Sequence, residues 1–141
     1  MSFYLDPSAI LPTLIEQDAS AAIDAFVLGS DGEVVVSDFA AAEVASALSR
    51  LIRIGELTAG GASARLADFD AWRAAATSDI DVQASDIRLA NVFVRRFELM
   101  MRAPDALHAA ICARGGDHLV TLDRRLAQAA RELGVTVVVP E

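Results

Sequence analysis

The chain predicts an α/β layer fold built on a parallel sheet. Three observations carry this. Short apolar runs ("SFYL" at 2–5, "EVVVS" at 33–37, "HLVTL" at 118–122, "VTVVV" at 135–139) alternate with longer segments of helical pattern. The runs are almost continuously apolar, as strands are when helices cover both sheet faces. The 141 residues suit one domain, 1–141, with chain enough to bury a core.

Each element has its own signal. "SFYL" is closed by "DPS", a turn-forming cluster. Helical segments follow at about 9–15 and 19–28, and "GSDG" at 29–32 turns the chain into the second strand. The helix expected at 38–53 puts Val44, Leu48, Leu51 and Ile52 at i, i+4, i+7 and i+8, one apolar face. "GELTAGG" interrupts it, and further helices are expected at 62–76 and 84–100. Another opens at Pro104, ahead of the strand at 118–122. A last helix at about 124–133 stops at Gly134, before the final strand. No internal repeat or linker is present.

Composition narrows the function. Hydrophobic residues at 54% with 23% charged residues describe a globular chain, not a disordered one. Net charge is −8, and all 12 basic residues are arginines. Such a surface argues against holding nucleic acid by bulk charge, which requires phosphate neutralisation. It leaves room for a nuclease that uses a bound cation and a local arginine patch. Cys112 is the only cysteine, so no intrachain disulfide forms, which fits a reducing cytosol. The N-terminus lacks a basic n-region, and Asp6 and Pro7 break its apolar run. No uncharged apolar stretch reaches the ~18 residues of a membrane span. A cytoplasmic protein with no membrane partner is expected.

Topology then gathers acids. In a parallel sheet the carboxyl ends of strands and the amino ends of following helices share one edge, where ligands bind. Asp6 follows the first strand, Glu43 lies in the second turn of the helix after the second strand, Asp105 opens the Pro104 helix, and Asp123 follows "HLVTL". Glu43 points along a small apolar face with no cation at i±4, so something positive has to compensate its desolvation. A divalent cation would, and hard ions such as Mg²⁺ take carboxylate oxygens and water. The four carboxylates are expected around one ion, with Glu43 or Asp105 raised in pKa when no ion is bound.

The segments "FYLDPSA", "VVSDFAAAEVASALSR" and "APDALHAAICARGGDHLVTLDRRL", with a final β strand, resemble the PIN domain family. Within it they resemble the VapC-type ribonuclease toxins of bacterial toxin–antitoxin pairs, and the resemblance spans essentially the whole chain. It implies a three-layer α/β/α sandwich with a short, mainly parallel central sheet. It also implies Mg²⁺ or Mn²⁺, endonucleolytic RNA cleavage, a cognate antitoxin and a homodimer. The family's acids map onto Asp6, Glu43, Asp105 and Asp123, and its site-lining hydroxyls onto Ser8, Ser37 and Thr121. Some relatives carry a further acid just after the fourth. Arg124 and Arg125 stand there instead, which puts a second metal position in doubt.

Three of the acids also have a plain structural reading. Asp105 beside Pro104 suits a helix start, Asp123 an N-cap, and Asp6 before Pro7 a turn. Glu43 has no capping role. His108 shares the Asp105 face at i+3 and reads as a surface or core-edge histidine rather than a general base. His118 reads as structural, and Cys112 as a small buried hydrophobe. Arg95, Arg96 and Arg102, with Phe93 and Phe97 interleaved, read as a solvated face over a buried aromatic seam, or as RNA phosphate contacts. Trp72 suits either the core or a partner-facing anchor.

Two other classes compete. Phosphoaspartyl receivers and haloacid-dehalogenase-like phosphatases require a functional lysine, and this chain has none. A non-catalytic PIN-like module binding RNA or protein is the second, separated from the nuclease by an activity assay.

Overall fold

The computed structural model describes residues 1–141. Strands β1 (Ser2–Leu5), β2 (Glu33–Ser37), β3 (Ser78–Ile80), β4 (His118–Val120) and β5 (Val137–Val138) form one sheet in the order β3-β2-β1-β4-β5. Every pairing is parallel, with Tyr4 opposite Val35 on one side and Leu119 on the other. Around the sheet lie α1 (Pro7–Leu14), α2 (Ser20–Gly29), α3 (Asp38–Arg53), α4 (Ala59–Ala76), α5 (Ala84–Val94), α6 (Ala103–Gly115) and α7 (Arg124–Glu132).

Successive residues of a strand point to opposite faces, and here they feed two cores. Phe3, Leu5, Val34 and Val36 pack with Ile10, Val44 and Phe69 of α1, α3 and α4. Tyr4, Val35 and Leu119 pack with Ile111, Leu126 and Ala130 of α6 and α7. The result is the three-layer α/β/α sandwich that the alternation and the resemblance predict.

Four details depart from the sequence reading. β3 is not among the expected strands: it is three residues at the sheet edge, and Ser78 and Asp79 give it no apolar signature. The helix expected through residue 100 ends at Val94, and a 3₁₀ turn at Phe97–Leu99 follows, closed by Met100 in the left-handed region (φ 55°). The apolar pattern runs on because Leu99 and Met101 are buried without being α-helical. The aromatic seam is only half present, since Phe93 packs on the core while Phe97 is 79% exposed. The apolar face of α3 holds at Val44 and Leu48 but fails in its last turn, where Ile52 is exposed.

This topology puts Asp6, the start of α3 and Thr121 at one edge, because β1 lies between β2 and β4 and all three run the same way.

Candidate active site at the carboxyl edge of the sheet

Asp6 is the best-anchored acid. It follows β1 as the N-cap of α1, and its Oδ1 accepts from Ala9 N–H at 3.3 Å and from Ser8 Oγ at 2.7 Å. Thr121 Oγ1 donates to Oδ2 at 3.0 Å. The two hydroxyls are themselves held by amides past the end of β4, Leu122 N–H donating to Ser8 at 2.9 Å and Asp123 N–H to Thr121 at 3.0 Å. Each hydroxyl has one proton, and both are directed at Asp6. Burial pushes the Asp6 carboxyl from 3.8 up to about 6, against the opposing pull of Ser8, His108, Thr121 and the Ala9 amide.

Asp105 and Asp123 line a pocket of about 90 Å³ together with Arg102, Arg125 and Met100. Asp105 lies in the first turn of α6, which has no side-chain cap, so its carboxylate is not engaged in capping. Its pKa is raised by burial first, then by Asp123 and Glu43, with Arg102 and His108 opposing. Asp123 is the N-cap of α7, its Oδ1 accepting from Arg125 N–H at 3.0 Å and Leu126 N–H at 3.2 Å. The capping reading therefore holds for Asp123 and, in part, for Asp6. It does not account for the raised pKa values of Asp6 and Asp105, since pure capping lowers them.

Glu43 meets a different partner from the one its sequence context suggests. Its Oε1 is hydrogen-bonded to His108 Nε2, and the glutamate side chain remains 32% exposed. His108 is 2% exposed, inside the core rather than at the surface or the core edge where the sequence places it. Its Nδ1 lies 2.6 Å from Tyr4 Oη, which lies 2.8 Å from Ser37 Oγ. Ser37 accepts from Ala40 N–H at 3.0 Å as the N-cap of α3. Burial raises the Tyr4 phenol well above its ordinary value. The sequence reading does not single out Tyr4. The only available signal is a polar hydroxyl at the midpoint of a strand buried on both faces, which requires a partner inside.

The remaining residues divide clearly. Arg95 and Arg96 are exposed and bonded locally, to Asn91 at 3.0 Å and Glu98 at 3.0 Å, while Arg102 borders the acidic pocket. Arg125 also lies there. His118 stacks edge-on against Phe3. Cys112 is buried, its thiol donating to Asp117 O at 3.2 Å, and burial pushes it up to about 12. Trp72 is half-buried beside Phe69, lining an apolar cleft with Leu14, Val27 and Leu28.

The donor set is chemically right for a hard divalent cation, being all carboxylate oxygen with hydroxyls behind it. The tight convergence expected from sequence is not present, because no three His, Cys, Asp or Glu side chains stand together as a ligand set. Asp6 and Glu43 are each turned onto donors of the protein, and Asp123 gives one oxygen to α7.

Comparison with solved structures finds the same fold in VapBC2 from Rickettsia felis, bound to a DNA fragment from their promoter. That match has a TM-score of 0.70 at 13% identity and covers 98% of each chain. VapC20 of Mycobacterium tuberculosis, a Sarcin-Ricin loop cleaving toxin, matches with a TM-score of 0.69 at 17% identity, over 90% of this chain and 94% of that one. FitAcB of Neisseria gonorrhoeae matches at 0.67 and 18% identity, over 98% and 97%. Comparison with curated protein sequences finds no match. The model of the PIN domain matches residues 3–132. With a family match over nearly its whole length and an acidic edge on the corresponding fold, this chain belongs to the PIN domain family.

Proposed function

We propose that the chain is a metal-dependent endoribonuclease, the toxin of a type II toxin–antitoxin pair, acting at the edge that carries Asp6, Glu43, Asp105 and Asp123. The observation that carries the reading is the raised pKa of two of these acids, Asp6 by burial and Asp105 by burial and by the nearby Asp123 and Glu43 carboxylates. Carboxylates destabilised by burial, and at Asp105 also by like charge, are poised to take a cation. Mg²⁺ or Mn²⁺, once bound, supplies an activated water and offsets charge at phosphorus. The chain's own residues do the rest. Ser8 and Thr121 orient Asp6, while Asp105 and Asp123 line one pocket with Arg102 and Arg125, whose guanidinium groups offer donors to flanking phosphates. Water attacks phosphorus, the bond to the 3′ oxygen breaks, and that oxygen leaves with a proton. No covalent intermediate forms.

An antitoxin partner is supported by the resemblance to toxin–antitoxin complexes of the same fold. An arginine or lysine from such a partner would satisfy the acidic pocket in place of the cation. A homodimer in the cytoplasm completes the reading.

Incubation with a total RNA pool, with and without Mg²⁺ or Mn²⁺, followed by mapping of cleaved ends, tests the reading. Expected products carry 5′-phosphate and 3′-hydroxyl ends and vanish in EDTA. Cyclic 2′,3′-phosphate ends, or full activity in EDTA, contradict it. RNA binding with no cleavage under any divalent ion favours the non-catalytic module. That alternative draws on the way Asp6 and Glu43 are already satisfied by protein donors.

A further inference from the structure

Glu43 is the least constrained of the four acids by its own helix. It lies inside α3, where it caps nothing, and its long side chain is one-third exposed. Left alone it would sample several rotamers. Instead its Oε1 is taken by a histidine 65 residues away in sequence, on α6. That histidine is wedged. Phe39, one turn before Glu43 on α3, lies against the ring with centroids 4.9 Å apart, and Tyr4 lies on another side at 5.7 Å.

The hydrogen bonds through this cluster have one self-consistent direction. Ala40 N–H donates to Ser37 Oγ, Ser37 donates to Tyr4 Oη, Tyr4 donates to His108 Nδ1, and His108 Nε2–H donates to Glu43 Oε1. Every proton then has an acceptor. The reverse order would make Tyr4 donate to Ser37, and the buried Ser37 hydroxyl proton would have no acceptor, an unfavourable state. The network thus runs from the amino end of α3 to the carboxylate carried further along the same helix, through β1 and α6.

We propose that His108 is a positioning residue for Glu43, held in one tautomer by Tyr4 and Ser37 so that Oε1 is fixed and Oε2 is free to take a ligand at the acidic edge. This rests on the reading of that edge as a divalent-cation site. It also explains how a glutamate on a small apolar helix face is compensated before any ion arrives. The histidine acts through the glutamate and touches no reacting atom. Bonds of this kind, behind a metal-binding carboxylate, are worth about 10–100-fold in affinity.

The test is Mn²⁺ binding followed by electron paramagnetic resonance on the full chain without RNA, joined to ¹⁵N shifts of the His108 ring in EDTA. The expected ring signature is a protonated Nε2 and a bare Nδ1, perturbed by Glu43→Gln. His108→Leu should weaken Mn²⁺ binding about 10–100-fold. His108→Gln, whose amide nitrogen can occupy the Nε2 position, should restore most of it. In a Glu43→Gln background, His108→Leu should produce no further loss. Tyr4→Phe keeps the packing and removes only the hydroxyl, so it decides the matter if His108→Leu does not fold, and a loss of affinity is again expected. Wild-type affinity in folded His108→Leu, or in Tyr4→Phe if only that variant folds, overturns the inference while leaving the nuclease reading intact. So does a loss from His108→Leu that persists undiminished in the Glu43→Gln background. A wild-type chain that binds no Mn²⁺ overturns the cation-site reading and this inference with it.

Discussion

Asp6 shows how one residue serves two ends. As an N-cap it accepts from Ala9 N–H, and as an edge acid it collects both hydroxyl protons of Ser8 and Thr121. Burial outweighs these donors, so the folded chain holds the Asp6 proton up to about pH 6, against 3.8 ordinarily. The sign follows from linkage. Between those values the folded state binds more protons than the unfolded one, so stability falls as pH rises. The contribution is complete below about pH 4 and lost as pH passes about 6, and it is on the order of 2 to 3 kcal/mol. Asp6→Asn should therefore abolish RNA cleavage yet melt higher than wild type in EDTA at pH 7.5, with the gap closing toward pH 4. The substitution is tolerable because the new side-chain amide can donate to Thr121, whose own proton can turn to Ser8 Oγ at 3.1 Å. Thermal melts of both proteins across that pH range check it, and a lower melting temperature for the variant at pH 7.5 contradicts the assignment. Asp6, Asp105 and Asp123 are legible in the sequence because each sits beside a strand end or a helix start, and Glu43 because it lies on a small apolar helix face with no cation at i±4. The His108–Glu43 bond is not, because it depends on how α6 packs against β1 and α3, a contact that no local pattern encodes.

At the scale of elements, α5 and α6 are joined by an ion pair that the sequence does not announce. Arg114 near the end of α6 meets Asp86 in the first turn of α5 with Nε–Oδ1 at 2.8 Å and Nη2–Oδ2 at 3.1 Å. Asp86 also accepts from Gln83 N–H at 2.8 Å, and its side chain is 2% exposed. Burial acts to raise this acid, but Arg114 and the Gln83 amide outweigh it and hold the carboxyl below its ordinary value. Arg114 reaches further, to Asp81 O in the segment after β3. Arg114→Leu leaves a buried carboxylate without its cation and should cost about 3 kcal/mol. Adding Asp86→Asn should return part of the loss, because the stranded charge is gone. Equilibrium denaturation of the single and double variants measures both, and a loss that the second substitution does not relieve rules out the stranded charge as its cause. The strands in the middle of the sheet are readable from their apolar runs. β3 is not, because an edge strand with Ser78 and Asp79 looks like a loop until Val35, Val36 and Ser37 pair with it. Nor is the break after Val94, since Leu99 and Met101 keep an apolar rhythm that a continued helix would also show.

At the scale of the molecule, an acidic protein is proposed to cleave a polyanion. Net charge of −8 gives no general attraction for RNA, so local features must supply it. Arg102 and Arg125 in the pocket of Asp105 and Asp123, and a cation among the acids, are the local features available. No helix is long and apolar enough to cross a membrane. Asp6, Glu43, Asp105 and Asp123, which stand along one edge without closing into a ligand set, are proposed to close onto a divalent ion when one is present. Crystals soaked in Mn²⁺ and measured at the manganese absorption edge test this directly. An anomalous peak is expected at that edge, with carboxylate oxygens of Asp6 and of at least one other of the four roughly 2.1 to 2.3 Å from it, the remainder reached through water. A map with no peak there from crystals saturated with Mn²⁺, or a peak held only by other residues, contradicts it.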